Sequence, residues 1–346
     1  VPTRWLLKTA TASLSINANW LNKTHGLAGN ENLKEKLRNK KTMEPFKVHI
    51  LGCGSALPTL RHNPSSQVVE VRGKMFMVDC GEGTQLQLRR VKVRFTKVSA
   101  VFISHLHGDH CFGLIGMIST FGLLGRTAAL HVYAHKDLEE TLKWQIGYFC
   151  HGLEYEVVFH AIDPTQQKVI YEDRSVEVET VPLKHRPACC GFVFREKPTL
   201  PHIRRDMIDC YEIPISQINN IKLGADWTAP DGTVVPNSRL VLPADKPRSY
   251  AYCSDTRYFK QLANSISGVD TLYHEATYDA SSIARARQYN HSTAEEAATV
   301  ARDAKVKQLI IGHFSARYED ETILLDEARK VFPNTVLAAE GKSFDV

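Results

Sequence analysis

Short apolar runs separated by glycine, proline and charged residues begin after residue 44 and continue to the C-terminus. Runs of four to eight apolar residues between turn residues are typical of buried strands. One pair of runs is joined by Arg72-Gly73, a hairpin signal. The pattern predicts strands at 46–51, 67–71, 74–78, 100–104, 129–133, 176–181, 191–194, 249–253, 271–275, 308–312 and 335–338.

Helical periodicity is found between some of these runs. It predicts helices at 84–90, 108–117, 137–148, 293–303 and 321–331. The sequence Ser292-Thr293-Ala294-Glu295 fits a capping box at the start of the fourth of these helices. Helices and strands interleave, but the strands cluster in hairpins, which favours a mixed, sandwiched α/β architecture over a doubly wound parallel sheet.

Composition narrows the class of protein. The 346 residues are 43% hydrophobic and 23% charged, which excludes collagen-like, disordered and disulfide-scaffold proteins. No apolar run approaches the length of a membrane-spanning helix. The eight cysteines form no C-x-x-C pair, which favours a reducing compartment, so we expect a cytoplasmic protein without a membrane partner.

The net charge of +5 is concentrated at the N-terminus. Residues 1–42 hold eight Lys or Arg against two acidic residues, whereas residues 43–346 carry a net charge of −1. Three interpretations of residues 1–42 stay open: a remnant outside the native enzyme, a disordered or loosely docked basic tail, or an organelle transit peptide, which would change the expected location. The domain proper is predicted at 43–346.

The hexapeptide His105-Leu106-His107-Gly108-Asp109-His110 carries the clearest chemical signal. Four metal-capable side chains fall within six residues directly after an apolar strand. Imidazole and carboxylate together suit zinc or a similar divalent ion. Further strand-end residues that complete a two-metal set are His185, Asp255 and His313.

The hexapeptide resembles the signature of the metallo-β-lactamase superfamily, and further stretches are similar to the ribonuclease Z family within it. The resemblance runs from Met43 to the C-terminus. Besides the hexapeptide it is carried by 52–59 (GCGSALPT), 79–85 (DCGEGTQ), 254–256 (SDT), 274–277 (HEAT), 291–293 (HST) and 312–318 (GHFSARY).

The resemblance implies an αββα sandwich of two mixed β-sheets flanked by helices, with an inserted flexible arm. It implies two Zn²⁺ per subunit, one held by His105, His107 and His185, the other by Asp109, His110 and His313. Asp255 then bridges both ions, and Asp79 holds the ligand loop from outside. The implied catalytic residues are Asp109, Glu275 and His291.

A proline-rich stretch at about 195–247 interrupts the strand-rich part of the chain. The resemblance places the tRNA-binding arm there, and the basic residues at its start suggest phosphate contacts. The candidate RNA-binding residues are Arg195, Lys197, Arg204 and Arg205.

The implied activity is removal of the 3′ trailer from precursor tRNA, with cleavage 3′ of the discriminator nucleotide and a 3′-hydroxyl left on the tRNA. The single-domain length resembles the homodimeric form of the family. Two alternatives remain: a hydrolase of the same fold acting on small esters, of the phosphodiesterase or arylsulfatase kind, and an inactive metal-binding protein that recognises RNA.

Overall fold

Two seven-stranded sheets form the framework of the computed structural model, which describes residues 44–346. The predictions for residues 1–42 lie outside the described residues. Within the described part, no helix is long and apolar enough to cross a membrane.

The first sheet has the order β18-β1-β2-β3-β4-β5-β6. It is antiparallel from β18 to β3 and parallel from β3 to β6. Its strands are β1 (Phe46–Gly52), β2 (Ser66–Val71), β3 (Lys74–Cys80), β4 (Val98–Phe102), β5 (Leu130–His135), β6 (Val157–Ile162) and β18 (Ser343–Asp345).

The second sheet has the order β17-β16-β15-β14-β9-β8-β7. It is parallel from β17 to β14 and antiparallel from β14 to β7. Its strands are β7 (Val169–Glu172), β8 (Val176–Pro182), β9 (Cys190–Glu196), β14 (Ser249–Cys253), β15 (Thr271–Glu275), β16 (Gln308–Gly312) and β17 (Thr335–Leu337).

The two sheets pack face to face through large aromatic side chains. Phe102 of β4 lies 5.5 Å from Phe192 and 5.6 Å from Phe194 of β9, measured between ring centroids. All three side chains are fully buried, so their apolar area contributes strongly to stability.

Helices cover the outer faces of both sheets. The helices are α1 (Thr84–Arg90), α2 (Gly108–Cys111), α3 (Leu114–Leu123), α4 (Leu138–Phe149), α8 (Leu262–Ser265), α9 (Ile283–Tyr289), α10 (Ala294–Asp303) and α11 (Thr322–Val331). Apolar residues of α1, α3 and α4 form a buried cluster with the first sheet, and those of α10 and α11 pack against the second sheet. This is the αββα sandwich that the sequence predicts.

The insertion between β9 and β14 folds around a small core of its own, formed by Ile213, Ile221, Val235 and Leu240. Its flexibility stays a prediction. Its elements are β10 (His202–Ile203), α5 (Arg205–Cys210), α6 (Ile215–Lys222), β11 (Trp227–Thr228), β12 (Val234–Val235), α7 (Asn237–Leu240) and β13 (Val241–Leu242).

A buried carboxylate closes the neck of this insertion. The Glu196 side chain, 3% exposed, accepts hydrogen bonds from the guanidinium groups of Arg72 and Arg248. Because Arg195 and Ser249 are paired neighbours in the sheet, the chain leaves and re-enters the sandwich at one place.

Several parts of the secondary structure differ from the sequence prediction. The helix predicted at 108–117 is two helices, α2 and α3, separated at Phe112-Gly113. The sequence pattern missed the edge strands β6, β7 and β18, whose residues are mostly half-buried or exposed. It also missed α8, α9 and the short elements of the insertion.

Candidate active site

The loop after β4 carries the histidine hexapeptide to the edge of the sandwich. It lies against the end of β3, where two glycines permit the close approach. A Cβ on Gly81 would lie 2.5 Å from the Asp109 carbonyl oxygen, and one on Gly113 would lie 2.0 Å from the Gly81 carbonyl oxygen. Neither position therefore has space for a side chain.

One group of donors consists of His105, His107 and His185. His107 Nδ1 lies 3.0 Å from His105 Nε2 and 3.3 Å from His185 Nε2. The outer nitrogen of His185 donates to the Asn290 carbonyl oxygen at 3.2 Å, which turns Nε2 inward. Three imidazole nitrogens therefore converge on one point.

A second group consists of Asp109, His110 and His313. Asp109 Oδ2 lies 3.3 Å from His110 Nε2 and 3.6 Å from His313 Nε2. Asp255 stands between the two groups: its Oδ1 lies 3.7 Å from His185 Nε2, and its Oδ2 lies 3.0 Å from His110 Nε2. One carboxylate thus faces both donor groups with different oxygens.

The inward nitrogens fit a metal centre. His110 Nε2 and His313 Nε2 are buried and lie 3.0–3.6 Å from carboxylate oxygens of Asp109 and Asp255, but neither makes a hydrogen bond with them. A buried polar atom in that state is costly unless a cation occupies the space. The outer nitrogens are both satisfied: His110 Nδ1 donates to Asp79 Oδ2 at 2.7 Å, and His313 Nδ1 donates to Thr277 Oγ1 at 2.9 Å. Such outer contacts fix the tautomer of a histidine ligand.

Asp79 is the centre of the outer contacts. Besides His110, its carboxylate accepts hydrogen bonds from the Ser104 amide at 2.8 Å, the Ser104 hydroxyl at 2.9 Å and the Tyr252 hydroxyl at 2.7 Å. The side chain is fully buried. This network joins the ends of β3, β4 and β14, the last of which comes from the opposite sheet.

Three of these residues adopt left-handed backbone conformations directly at or after a strand. The φ angles are 56° at Asp79, 60° at Asp255 and 59° at His313. Residues other than glycine are strained there by about 1–2 kcal/mol, and such strain is common at functional sites.

Glu275 and His291 form a separate pair beside the donor groups. Glu275 ends β15 and is fully buried, while His291 lies between α9 and α10. His291 Nδ1 lies 3.0 Å from Glu275 Oε1 and 3.1 Å from Oε2. Glu275 also accepts from the Thr256 amide at 2.6 Å and the Thr277 hydroxyl at 2.5 Å.

Protonation in this pair follows from its electrostatics. Burial lowers the pKa of His291, but the charge and hydrogen bond of Glu275 outweigh burial and raise the pKa to about 9. Burial alone would raise the pKa of Glu275, and the charge and hydrogen bond of His291 bring it below its ordinary value. At neutral pH, His291 is therefore an imidazolium and Glu275 a carboxylate.

The N-cap of α10, the helix after His291, lies one residue later in the chain than the sequence predicts. The sequence predicts a capping box at Ser292 and Glu295, but the structure forms it from Thr293 and Glu296. Ser292 instead donates its hydroxyl to the Thr256 carbonyl oxygen at 2.6 Å and its amide to Glu275 at 3.1 Å. Tertiary contacts of Ser292 therefore displace the local signal.

A cleft of about 380 Å³ opens above the two donor groups and the Glu275–His291 pair. Its rim includes the exposed Arg186 and Arg285 and the half-exposed Tyr289, whose ring lies 5.6 Å from the Arg186 guanidinium. The sequence pattern indicated no role for these residues, nor for Ser104, Thr277 or Tyr252. Only the cationic and aromatic residues at alternate positions of 285–289 could have indicated that Arg285 and Tyr289 bind RNA.

The basic residues at the start of the insertion differ in their local contacts. Arg195 lies within β9, and Lys197 pairs with Glu172. Arg204 pairs with Asp206 at 2.6 Å, whereas the exposed Arg205 makes no ion pair with the described residues. The structure thus brings the metal-capable residues together, and the RNA-binding role of the four cations stays a prediction.

Comparison with known proteins agrees with this geometry. Residues 46–202 match a family model described as anti-Pycsar protein Apyc1. A ribonuclease Z of Phocaeicola vulgatus is 60% identical over 298 residues, which cover 86% of this chain and 96% of that protein. A ribonuclease Z of Bacteroides fragilis is 58% identical over 299 residues, or 86% of this chain and 98% of that protein.

Solved structures show the same fold. The short form of human tRNase Z has a TM-score of 0.61 at 22% identity and covers 86% of this chain and 98% of its own. The metallo-β-lactamase fold protein YhfI from Bacillus subtilis has a TM-score of 0.61 at 20% identity, covering 87% and 100%. With relatives of 58–60% identity over almost their whole length, the chain belongs to the ribonuclease Z family of metal-dependent endoribonucleases.

Proposed function

We propose that this protein removes the 3′ trailer of precursor tRNA by cutting 3′ of the discriminator nucleotide, with two zinc ions as cofactors. Membership in the ribonuclease Z family supports the substrate. The observation that carries the chemistry is the Glu275–His291 pair beside two groups of converging metal donors.

The donor chemistry supports zinc. His105, His107 and His185 would hold one ion, and Asp109, His110 and His313 the other, with one Asp255 oxygen facing each. Mixed imidazole and carboxylate donors suit Zn²⁺. When bound, two such cations neutralise phosphoryl charge and acidify the attacking water.

Asp109 is suited to orient the water. Its burial favours the neutral acid, but His110 and His313 outweigh this and hold the pKa of Asp109 well below its ordinary value. Asp109 therefore stays ionised and accepts a hydrogen bond from the water, which aligns the oxygen for in-line attack on phosphorus.

His291 is suited to protonate the leaving group. Both oxygens of Glu275 lie close to Nδ1, so Nε2 is the nitrogen available to substrate at the cleft. As the bond between phosphorus and the ribose 3′-oxygen breaks, His291 gives that oxygen a proton, and the tRNA keeps a 3′-hydroxyl.

The rim of the cleft suits a single-stranded RNA end. Arg186 and Arg285 offer positive charge to phosphates, and Tyr289 offers a ring on which an unpaired base can stack. The insertion at 195–247 is proposed to contact the tRNA body, with the exposed Arg205 as one cation that makes no ion pair among the described residues.

We also propose a homodimer. Leu123 and Leu124 at the end of α3 and Trp144, Tyr148 and Phe149 on α4 are exposed, and the two helices lie against each other. An exposed apolar face of this kind is typical of a surface that binds another protein. Sedimentation equilibrium tests this: a monomer at assay concentrations would refute it.

The proposed activity is tested with precursor tRNA bearing a 3′ trailer, with and without a chelator. Release of the trailer that the chelator abolishes supports the proposal. Turnover of a small phosphodiester without RNA cleavage would favour the small-ester hydrolase, and binding without any turnover would favour an inactive RNA-binding protein.

A further inference from the structure

A second cluster of metal-capable side chains lies outside the candidate active site. Cys53 directly follows β1, His62 lies in the next loop, and Glu340 lies between β17 and β18. His62 Nδ1 is 3.4 Å from Cys53 Sγ and 3.1 Å from Glu340 Oε2. Cys53 is fully buried, and the side chains of His62 and Glu340 are only 14% and 16% exposed.

Contacts around this cluster leave three donor atoms facing one another. His62 Nε2 donates to Glu321 Oε1 at 3.2 Å. The Glu340 Oε1 atom accepts from the backbone amides of Cys53 at 3.3 Å and Asn63 at 2.9 Å. His62 Nδ1 faces Sγ and both Glu340 oxygens, with Oε1 at 3.3 Å, so the donor atoms of the three side chains converge. A histidine that gives one ring N–H to a carboxylate and turns the other nitrogen inward is the usual arrangement of a metal ligand.

The spacing and charge of these atoms also suit a cation. Zinc bonds of about 2.0–2.3 Å in a tetrahedral arrangement place neighbouring ligand atoms about 3.3–3.8 Å apart. The observed 3.4 Å between Sγ and Nδ1 lies in this range, and the 3.1 Å between Nδ1 and Oε2 is slightly shorter. A thiolate and a carboxylate balance the charge of one divalent ion, and the outer carboxylate of Glu321 has its own partner in Arg61 at 3.1 Å. We propose that Cys53, His62 and Glu340 bind a third divalent cation of the thiophilic kind, such as zinc.

This cation would have a structural role next to the active site. The Phe314 amide donates to the Cys53 carbonyl oxygen at 2.9 Å, and the ring centroids of His62 and Phe314 are 5.7 Å apart. Phe314 directly follows His313. The cation would thus fix the loop that carries His313, a candidate ligand of the dinuclear centre. It would also fix the chain just before Ser55, Ala56 and Leu57, which line the cleft.

A nucleophilic role for Cys53 is a poor fit. Its side chain has no solvent exposure, and burial, followed by the charge of Glu340, raises the pKa of its thiol well above the ordinary value. In the absence of a cation the thiol stays protonated, and reactive cysteines need the thiolate and access to substrate.

Cobalt distinguishes this site from the dinuclear centre. Protein stripped of metal is titrated with Co²⁺ alone, and the thiolate-to-cobalt charge-transfer absorption in the near ultraviolet is recorded. The dinuclear donors are nitrogen and oxygen only, so this absorption reports a cysteine ligand. We expect the band in the wild-type protein and its loss in Cys53→Ser, with one cation per chain fewer by elemental analysis. Cys253→Ser, which replaces a buried thiol elsewhere, keeps both.

His62→Gln provides a second variant that retains the thiol. We expect it to lose the band and one cation per chain as well. Absence of the band from wild-type protein whose dinuclear centre is filled would overturn the proposal. The cluster would then be a hydrogen-bonded network in which a His62 imidazolium lies between Glu340 and Glu321. The measurement does not involve RNA, so its outcome is independent of the proposed tRNA cleavage.

Discussion

Glu275 presents both carboxylate oxygens to His291, at 3.0 and 3.1 Å from Nδ1. The Thr277 hydroxyl, which donates to Glu275, also accepts from His313. The proposed proton donor and a candidate metal ligand are therefore held by one short network. Because Nδ1 of His291 is engaged by Glu275, Nε2 is the nitrogen left to act, and the proposal assigns it the role of proton donor.

Replacement of His291 tests this orientation. We expect His291→Ala to slow trailer release by roughly 10²–10⁴-fold, the range for loss of a general acid, while metal content stays at the wild-type value. Cleavage is followed under single-turnover conditions, and metal by elemental analysis. Loss of a cation in this variant would place His291 among the ligands instead. Glu275→Gln is expected to slow the same step with metal retained.

Asp79 is expected to tune metal affinity without touching substrate. Asp79→Asn removes a charged acceptor from His110, and we expect the affinity for the most weakly held cation to fall by about 10–100-fold. Competition with a chromogenic chelator measures this affinity. Tyr252→Phe removes only one donor to the same carboxylate and serves as the milder comparison. Equal affinity in wild type and Asp79→Asn would contradict the role.

Tyr289 is expected to stack an unpaired base at the cleft. Tyr289→Ala should weaken binding of precursor tRNA by about 1–3 kcal/mol, the range for base–aromatic stacking, whereas Tyr289→Phe should bind normally. Tyr289→Phe, which retains the ring, is therefore the matched control. Identical affinities for Tyr289→Ala and the control would refute the stacking role.

The insertion is expected to supply affinity rather than chemistry. Because Glu196 and Arg248 close its neck, residues 199–246 can be replaced by a short Gly-Ser linker with both retained. We expect precursor-tRNA affinity in a filter-binding assay to fall by about tenfold or more as phosphate contacts are lost. Turnover of a small chromogenic phosphodiester is expected to persist. Unchanged tRNA affinity would show that the insertion is not an RNA-binding arm.

The net positive charge of the chain lies in residues 1–42, yet the proposed substrate contacts lie elsewhere. We expect protein lacking these residues to cleave precursor tRNA at close to the full-length rate at moderate ionic strength. A large loss of activity, with metal content retained, would assign the basic segment a direct role in RNA binding.

Structural features that depend on neighbouring residues in the chain could be predicted from the sequence, whereas features that depend on tertiary contacts could not. His105, His107, Asp109 and His110 are adjacent in the chain, so their spacing alone indicated a metal site. Strands β14, β15 and β16 were predicted with the bounds that the structure has, because each contains adjacent buried apolar residues.

Other features required the folded chain. The hydrogen bonds of His110 to Asp79 and of His313 to Thr277 join residues that are far apart in the chain. They form only because different strands end at the same edge of the sandwich. The capping box shifted from Ser292 to Thr293 because Ser292 contacts Thr256 and Glu275. Cys53 and Glu340 are 287 positions apart, so no local pattern connects them.

Mapping the cleavage site on one precursor tRNA is the most direct test of the proposed activity. We expect a single metal-dependent cut 3′ of the discriminator nucleotide, with a 3′-hydroxyl on the tRNA and a 5′-phosphate on the trailer. We expect His107→Ala to lose this cut. Stepwise shortening of the trailer, a 3′-phosphate on the tRNA, or undiminished cutting by His107→Ala would contradict it.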